Sequence, residues 1–162
     1  MLNEGIENKQ NKNINSIFLP QRKVQMFGVQ KGYEIYRSTC SVCHGPDGEG
    51  IEHMAPPLNG SQYVAGPTAV VGMILLNGLE WPIHVNGQLY KFNGTMPNFG
   101  NNFTNEEIAG VISYLHNSFV AASPKLYYGR KPVKPEEIKI LRSKHSGTLT
   151  EADLLKMADL KE

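Results

Sequence analysis

Cys40-Ser41-Val42-Cys43-His44 decides the reading of this chain, because it holds both of the chain's cysteines with a histidine directly after the second. Three chemistries use two thiols at this spacing. Structural zinc takes four ligands, and no second Cys/His pair stands at zinc-finger spacing elsewhere. A redox dithiol of the thioredoxin kind needs a βαβ pattern nearby, whereas the flanks here look helical before the motif and rich in Gly and Pro after it. Covalent haem attachment uses the whole pentapeptide. Each thiol adds across one porphyrin vinyl group, the two-residue gap matches the vinyl separation, and the adjacent imidazole is carried under the iron. The expectation is one haem c, bound through Cys40 and Cys43 with His44 as a metal ligand.

Haem iron of this type takes a second axial ligand, and a soft thioether stabilises the ferrous state. Six methionines are available. Met1 lies in a polar N-terminal stretch, Met26 just before the first helix, Met157 near the C-terminus, and Met73 in an apolar helical run that suits a core role. Met54 follows His44 by only ten residues and would need a tight wrap to reach the opposite face. Met96 is the favoured ligand, since Asn93-Gly94-Thr95-Met96-Pro97-Asn98-Phe99-Gly100 combines backbone freedom at the glycines with stiffness at Pro97.

Around this centre, 162 residues suit one principal core. The longest apolar-plus-Gly stretch, Ala69 to Leu76, is far short of the roughly 20 residues that span a bilayer. A formal charge of +1 offers no basic surplus for a nucleic-acid partner. The charge is unevenly spread: residues 30–120 carry 3 basic and 7 acidic groups, between ends that are mildly basic. Residues 1–23 read as a disordered polar arm with five asparagines in the first fifteen positions, and without the basic and apolar regions of a secretory signal. Residues 24–120 read as the haem domain, with ordered structure from Val24, and 121–162 as a helical extension packed on that domain or on a partner.

Several elements are legible individually. Thr104-Asn105-Glu106-Glu107 is a capping box, and Ile108, Val111, Ile112 and Leu115 then form one apolar stripe. Pro67 to Leu76 predicts a middle helix stopped near Gly78, and Asn86-Gly87 within Ile83–Tyr90 predicts a hairpin. In the extension, Lys134-Pro135 starts a helix ending at Ser146-Gly147, and Thr150 starts another.

Taken together the residues resemble the class I cytochrome c family over about 28 to 120. Gly32 and Tyr36 lead to Cys40 at four-residue intervals, Pro56-Pro57-Leu58-Asn59-Gly60 follows the ligand histidine, and a methionine loop and a last helix complete the pattern. The resemblance implies an all-α fold of three to five helices around the haem, with a small hairpin and the C-terminal helical extension. It also implies that the Pro56 carbonyl accepts the Nδ1 proton of His44, that the first and last helices of the domain cross at Gly32 and Gly110, and that Tyr36 and Tyr114 pack there. Pro56 and Leu58 count as haem-pocket residues on this basis. Tyr90, Phe92 and Phe99 are expected to line the distal wall, Trp81 to pack near a turn, and His53, His84, His116 and His145 to stay off the iron.

The segments from Gly60 to Gly66, around Asn77-Gly78-Leu79 and from Pro82 to Gly87 look like cytochrome modules linked to periplasmic sugar or alcohol dehydrogenases. The implied function is electron transfer by an Fe(III)/Fe(II) haem with His44 and Met96 ligation and no substrate bond chemistry. A dehydrogenase domain or subunit would be the donor and a cytochrome or oxidase the acceptor, in the periplasm or another exported space. The alternative is a haem enzyme or gas sensor with an open sixth coordination site.

Overall fold

The computed structural model describes residues 28–119, 130–144 and 147–159. The expected polar arm, the start of order at Val24, Met1, Met26, His145 and Ser146 lie outside the described residues.

The first helical run, α1 (28–44), is α-helical to residue 35, passes through a π-helical turn at Tyr36–Cys40 and ends as the α-helical Ser41–His44. The Ser41 N–H reaches back to the Tyr36 carbonyl, five residues away. A π turn inserts one extra residue and so re-aims the side chains after it, here the second cysteine and the histidine. Gly45, at φ 79°, stops the helix by bonding back to the Ser41 carbonyl.

Two short helices follow, α2 (Gln62–Ala65) and α3 (Thr68–Asn77). Pro67 precedes α3 and Gly78, at φ 78°, ends it. Val70 to Asn77 are all buried, so α3 crosses the interior, as its lack of a polar face requires. The last helix of the domain, α4 (Asn105–Ser118), starts in the capping box between Thr104 and Glu107 and buries Ile108, Val111, Ile112 and Leu115. Each such side chain contributes about 1.5–3 kcal/mol.

α1 and α4 cross with their backbones in contact. A Cβ on Gly32 would stand 2.0 Å from the Gly110 carbonyl oxygen, and one on Gly110 would stand 2.7 Å from that of Gly28. Tyr36, fully buried, packs its ring against Tyr114 and Phe119 at centroid distances of 5.3 and 5.1 Å. Its hydroxyl donates to the Gly45 carbonyl, at 2.5 Å, tying the crossing to the end of the motif helix.

Between α3 and α4 lie two small antiparallel ladders. β1 (Leu79–Glu80) pairs with β4 (Thr95–Met96), and β2 (Ile83–Val85) pairs with β3 (Gln88–Tyr90) around Asn86-Gly87, both at positive φ as a tight hairpin turn requires.

Beyond residue 130, α5 (Pro135–Arg142) packs on α4 and α3, and α6 (Glu151–Asp159) packs on α3. Ile138 joins the main core, Leu154 joins a second cluster with Val70, Leu79 and Ile83, and Leu155 faces solvent. The α5 helix ends at Arg142, short of the expected Ser146-Gly147, and the Ser143 hydroxyl donates to the Ile140 carbonyl of its last turn. Leu149 adds a parallel bridge to Leu79, on β1. Among the described residues, no helix is long and apolar enough to cross a membrane.

Candidate cofactor site

The end of α1 brings Cys40, Cys43 and His44 to one wall of an apolar cleft. Both cysteines are unpaired and half-buried. Burial, with Cys43 adding to it, pushes the Cys40 thiol up to about 12, so this wall disfavours a thiolate and accepts a neutral sulfur such as a thioether. His44 is buried, and its Nδ1 lies 2.9 Å from the Pro56 carbonyl oxygen. A carbonyl only accepts, so Nδ1 carries the proton and Nε2 keeps its lone pair for a metal. Burial also pushes the imidazole pKa down, against the pull of the Pro56 bond, which favours the neutral ring a metal needs.

The loop from Gly45 to Gly60 folds back on the helix to set that bond. Gly50 N–H bonds the His44 carbonyl at 2.8 Å, while Leu58 and Asn59 both donate to the Gly48 carbonyl. Gly50, at φ 80°, lies where a Cβ would meet the Pro57 nitrogen at 2.7 Å, so the loop closes only with glycine there.

The cleft contains about 1050 Å³ of empty space, its open mouth included. Cys40, Cys43, His44, Pro56, Leu58, Met96 and Phe99 all line it. Tyr90 does not: its ladder partner Ile83 takes the place at the wall, and the Tyr90 ring packs with the second cluster, 6.0 Å from Phe92. Phe92 also lies off the lining, its ring edge-on to Trp81 at 4.8 Å. Trp81, for which packing near a turn is favoured over a place at the haem edge, lines the cleft. Residue reasoning missed Val71, Ile74 and Leu75 of α3 and Ile83 and Val85 of β2, which also form the walls. The unbroken apolar run of α3 and the alternation in β2 carried that signal.

Among the described methionines, Met96 alone lines the cleft. Met54 is exposed, Met73 is buried beside Asn77 in the core, and Met157 packs with the second cluster. His53 and His84 are exposed, whereas His116 is buried in α4 with its Nε2 3.2 Å from Arg130.

Two thiols one helical turn apart, an imidazole whose outer nitrogen is free and a dry cavity beside them fit a covalently held porphyrin. They do not fit zinc, since among the described residues no three of His, Cys, Asp and Glu gather to hold a metal ion. A profile of the family described as cytochrome c matches residues 29–119. The chain belongs to the cytochrome c family. It carries one haem c through Cys40 and Cys43, and cytochromes c are electron carriers. Cytochrome c-552 of Thermus thermophilus is 38% identical over 119 residues, covering 70% of this chain and 85% of that protein. The cytochrome c subunit of a quinone alcohol dehydrogenase from Gluconobacter oxydans is 28% identical over 95 residues, 57% of this cytochrome but 19% of the subunit. Among solved structures, the c-type cytochrome XoxG from Methylobacterium extorquens AM1 is 25% identical, with a TM-score of 0.40 over 72% of this chain and 66% of that one.

Proposed function

We propose that this cytochrome passes single electrons with its haem iron held between His44 Nε2 and Met96 Sδ. The observation that carries the reading is the position of Met96 on the cleft wall, with the other described methionines placed elsewhere. Haem, when bound, supplies one-electron exchange between ferric and ferrous iron.

The chain's own residues do the rest. Pro56 fixes the tautomer and orientation of His44, and its bond increases the electron donation of the ring. Met96 offers a soft thioether that favours the ferrous state and raises the potential. Val71, Ile74, Leu75, Ile83 and Val85 keep water from the cleft, and so disfavour the extra positive charge of the ferric state. Two protein ligands kept in both oxidation states leave little to rearrange and no place for a substrate.

Residues 24–120 form the haem unit in this reading, with the extension packed on it. The donor is a dehydrogenase domain or subunit and the acceptor a cytochrome or oxidase, a pairing supported by the relatives found in quinone alcohol dehydrogenases. The site of action is the periplasm or an equivalent exported space, where covalent haem attachment is carried out. Carbon monoxide binding to the reduced, haem-loaded protein tests the ligand set. The native protein is expected to resist it, and Met96→Ala to bind one equivalent rapidly. Rapid stoichiometric binding by the native protein would instead establish an open sixth site and a sensor or enzyme.

A further inference from the structure

Residues 100–105, which join the Met96 strand to α4, are held by a side chain from far along the chain. Arg142, the last residue of α5, directs all three guanidinium nitrogens at this curve. Nε donates to Asn105 Oδ1 at 2.9 Å, Nη2 to the Phe103 carbonyl at 2.9 Å, and Nη1 to the Gly100 carbonyl. A rigid planar fork that meets three acceptors within six residues fixes their relative placement, which a single-point donor does not.

The same curve is pinned from within. Phe99 N–H bonds the Leu75 carbonyl at 2.8 Å, Phe99 and Phe103 stack with centroids 5.6 Å apart, and a Cβ on Gly100 would stand 2.7 Å from the Leu76 carbonyl oxygen. Behind Met96, Leu79 of β1 pairs with it on one side, while Leu149 of the extension bridges to Leu79. The extension therefore supports the methionine loop indirectly, through Leu149 on Leu79, and directly through Arg142, which grips residues beyond Met96.

We propose that Arg142 is a positioning residue for the methionine loop, and that its three-pronged grip on residues 100–105 sets how readily Met96 is displaced from the cleft. The proposal rests on the reading of Met96 as an iron ligand. The guanidinium lies off the cleft lining, and its hydrogen bonds go to Asn105, Gly100 and Phe103, not to Met96. It acts by making the outward swing of the loop break three hydrogen bonds together, two of them to backbone carbonyls.

The test is imidazole binding to the ferric, haem-loaded protein at saturating imidazole, where loop opening limits the rate. Arg142→Ala is expected to raise that rate about tenfold, the scale set by losing charge-assisted hydrogen bonds. Amide exchange is expected to accelerate at 98–103 and to stay unchanged at 28–44. Arg142→Lys keeps the charge and stem but reaches one acceptor at a time, so it should move in the same direction and remain folded if the alanine variant does not. Lys139→Ala, exposed on the same helix, should leave both measurements unchanged.

An unaltered imidazole rate in the lysine and alanine variants would overturn the proposal. So would equal acceleration of exchange at 28–44 and 98–103, since that means general loosening rather than positioning. Met96→Leu separates this from the ligand reading. If that variant keeps the native spectrum and the slow imidazole rate, the ligand assignment has failed. If it binds imidazole fast while the Arg142 variants stay slow, the proposal about Arg142 alone has failed.

Discussion

The two sides of the cleft that carry His44 and Met96 are built on opposite plans. His44 stands at the end of a continuous helix, its Nδ1 partner lies twelve residues on, and the intervening loop bonds mostly to itself. Met96 sits in a two-residue strand paired with β1 at Leu79, which is itself bridged to Leu149, and the residues just after it are held by Leu75 and Arg142, so its place depends on distant parts of the chain. A group held by local bonds and a covalent cofactor stays put when distant packing loosens. A group held by distant packing is the first to leave.

The largest expected effect breaks the histidine side at its root. Gly32→Ala would press a methyl group 2.0 Å from the Gly110 carbonyl oxygen and 2.4 Å from its carbon, both backbone atoms that cannot rotate away. Denaturant unfolding of the haem-loaded protein should show a loss of about 3 kcal/mol. Gly28→Ala, in the same helix with nothing within 4 Å of its Cβ, should cost nothing or add a few tenths of a kcal/mol. Equal behaviour of the two variants would remove the crossing from the account of what holds His44.

Gly78→Ala is the matching blow to the methionine side. Gly78 has φ 78°, and a Cβ there would stand 2.5 Å from the Met96 carbonyl oxygen. The expected cost is smaller, about 1–3 kcal/mol, and it should be accompanied by faster carbon monoxide uptake. Gly32→Ala should lower stability without that gain in ligand access. The pair of readings distinguishes the walls more sharply than either free energy alone.

The same contrast explains what could be read beforehand. Whereas the role of Pro56 and the α1–α4 crossing, between residues far apart in the chain, follow only from the resemblance to class I cytochromes c, the thiols and His44 follow from a short-range spacing, which a linear sequence displays directly. The capping box at Thr104 and the Asn86-Gly87 turn are local for the same reason. Tyr90 was misplaced because alternation in a hairpin says which residues share a face, not which of them meets a cleft built by α3. Nothing local marks Arg142 as a partner of Gly100 and Phe103, since its acceptors are carbonyls that every residue possesses.

Acid provides a third probe, directed at the root of the extension. Burial first, and then Arg130, push the buried His116 down to about 4 from its ordinary 6.5. Arg130 also donates to the Gly66 and Ala65 carbonyls, so it fastens the start of the extension to the end of α2. The unfolded chain takes up a proton near 6.5 and the folded one resists until about 4. Stability from this group is therefore full above 6.5 and declines as pH falls through the interval, by on the order of 2 kcal/mol in total. His116→Gln should flatten that part of the stability curve measured from pH 7 to pH 4. If the native slope persists in the variant, another group carries it.

The smallest effect concerns the second attachment of the extension. Glu151, in the first turn of α6, accepts from the His84 backbone N–H at 2.6 Å, lies 3.1 Å from the His84 ring Nδ1 and accepts from the Tyr63 hydroxyl at 3.4 Å. Burial raises its pKa, but the backbone and ring bonds of His84 outweigh this and hold it below the usual carboxylate range. Such a lowered carboxylate stabilises the fold above its unfolded pKa and loses that contribution as pH falls through the folded one. His84 is exposed and Glu151 partly so, which limits the gain to about 0.5 kcal/mol and makes it sensitive to salt. Glu151→Gln should lower the denaturant midpoint slightly at pH 7, and the difference from the native protein should shrink as acid protonates the folded carboxylate. Its haem spectrum should not change, because Ile83 and Val85 keep the cleft wall whether or not His84 between them is tethered. A spectral change would mean that the methionine side is held by even weaker and more distant contacts than Arg142 and Leu149 supply.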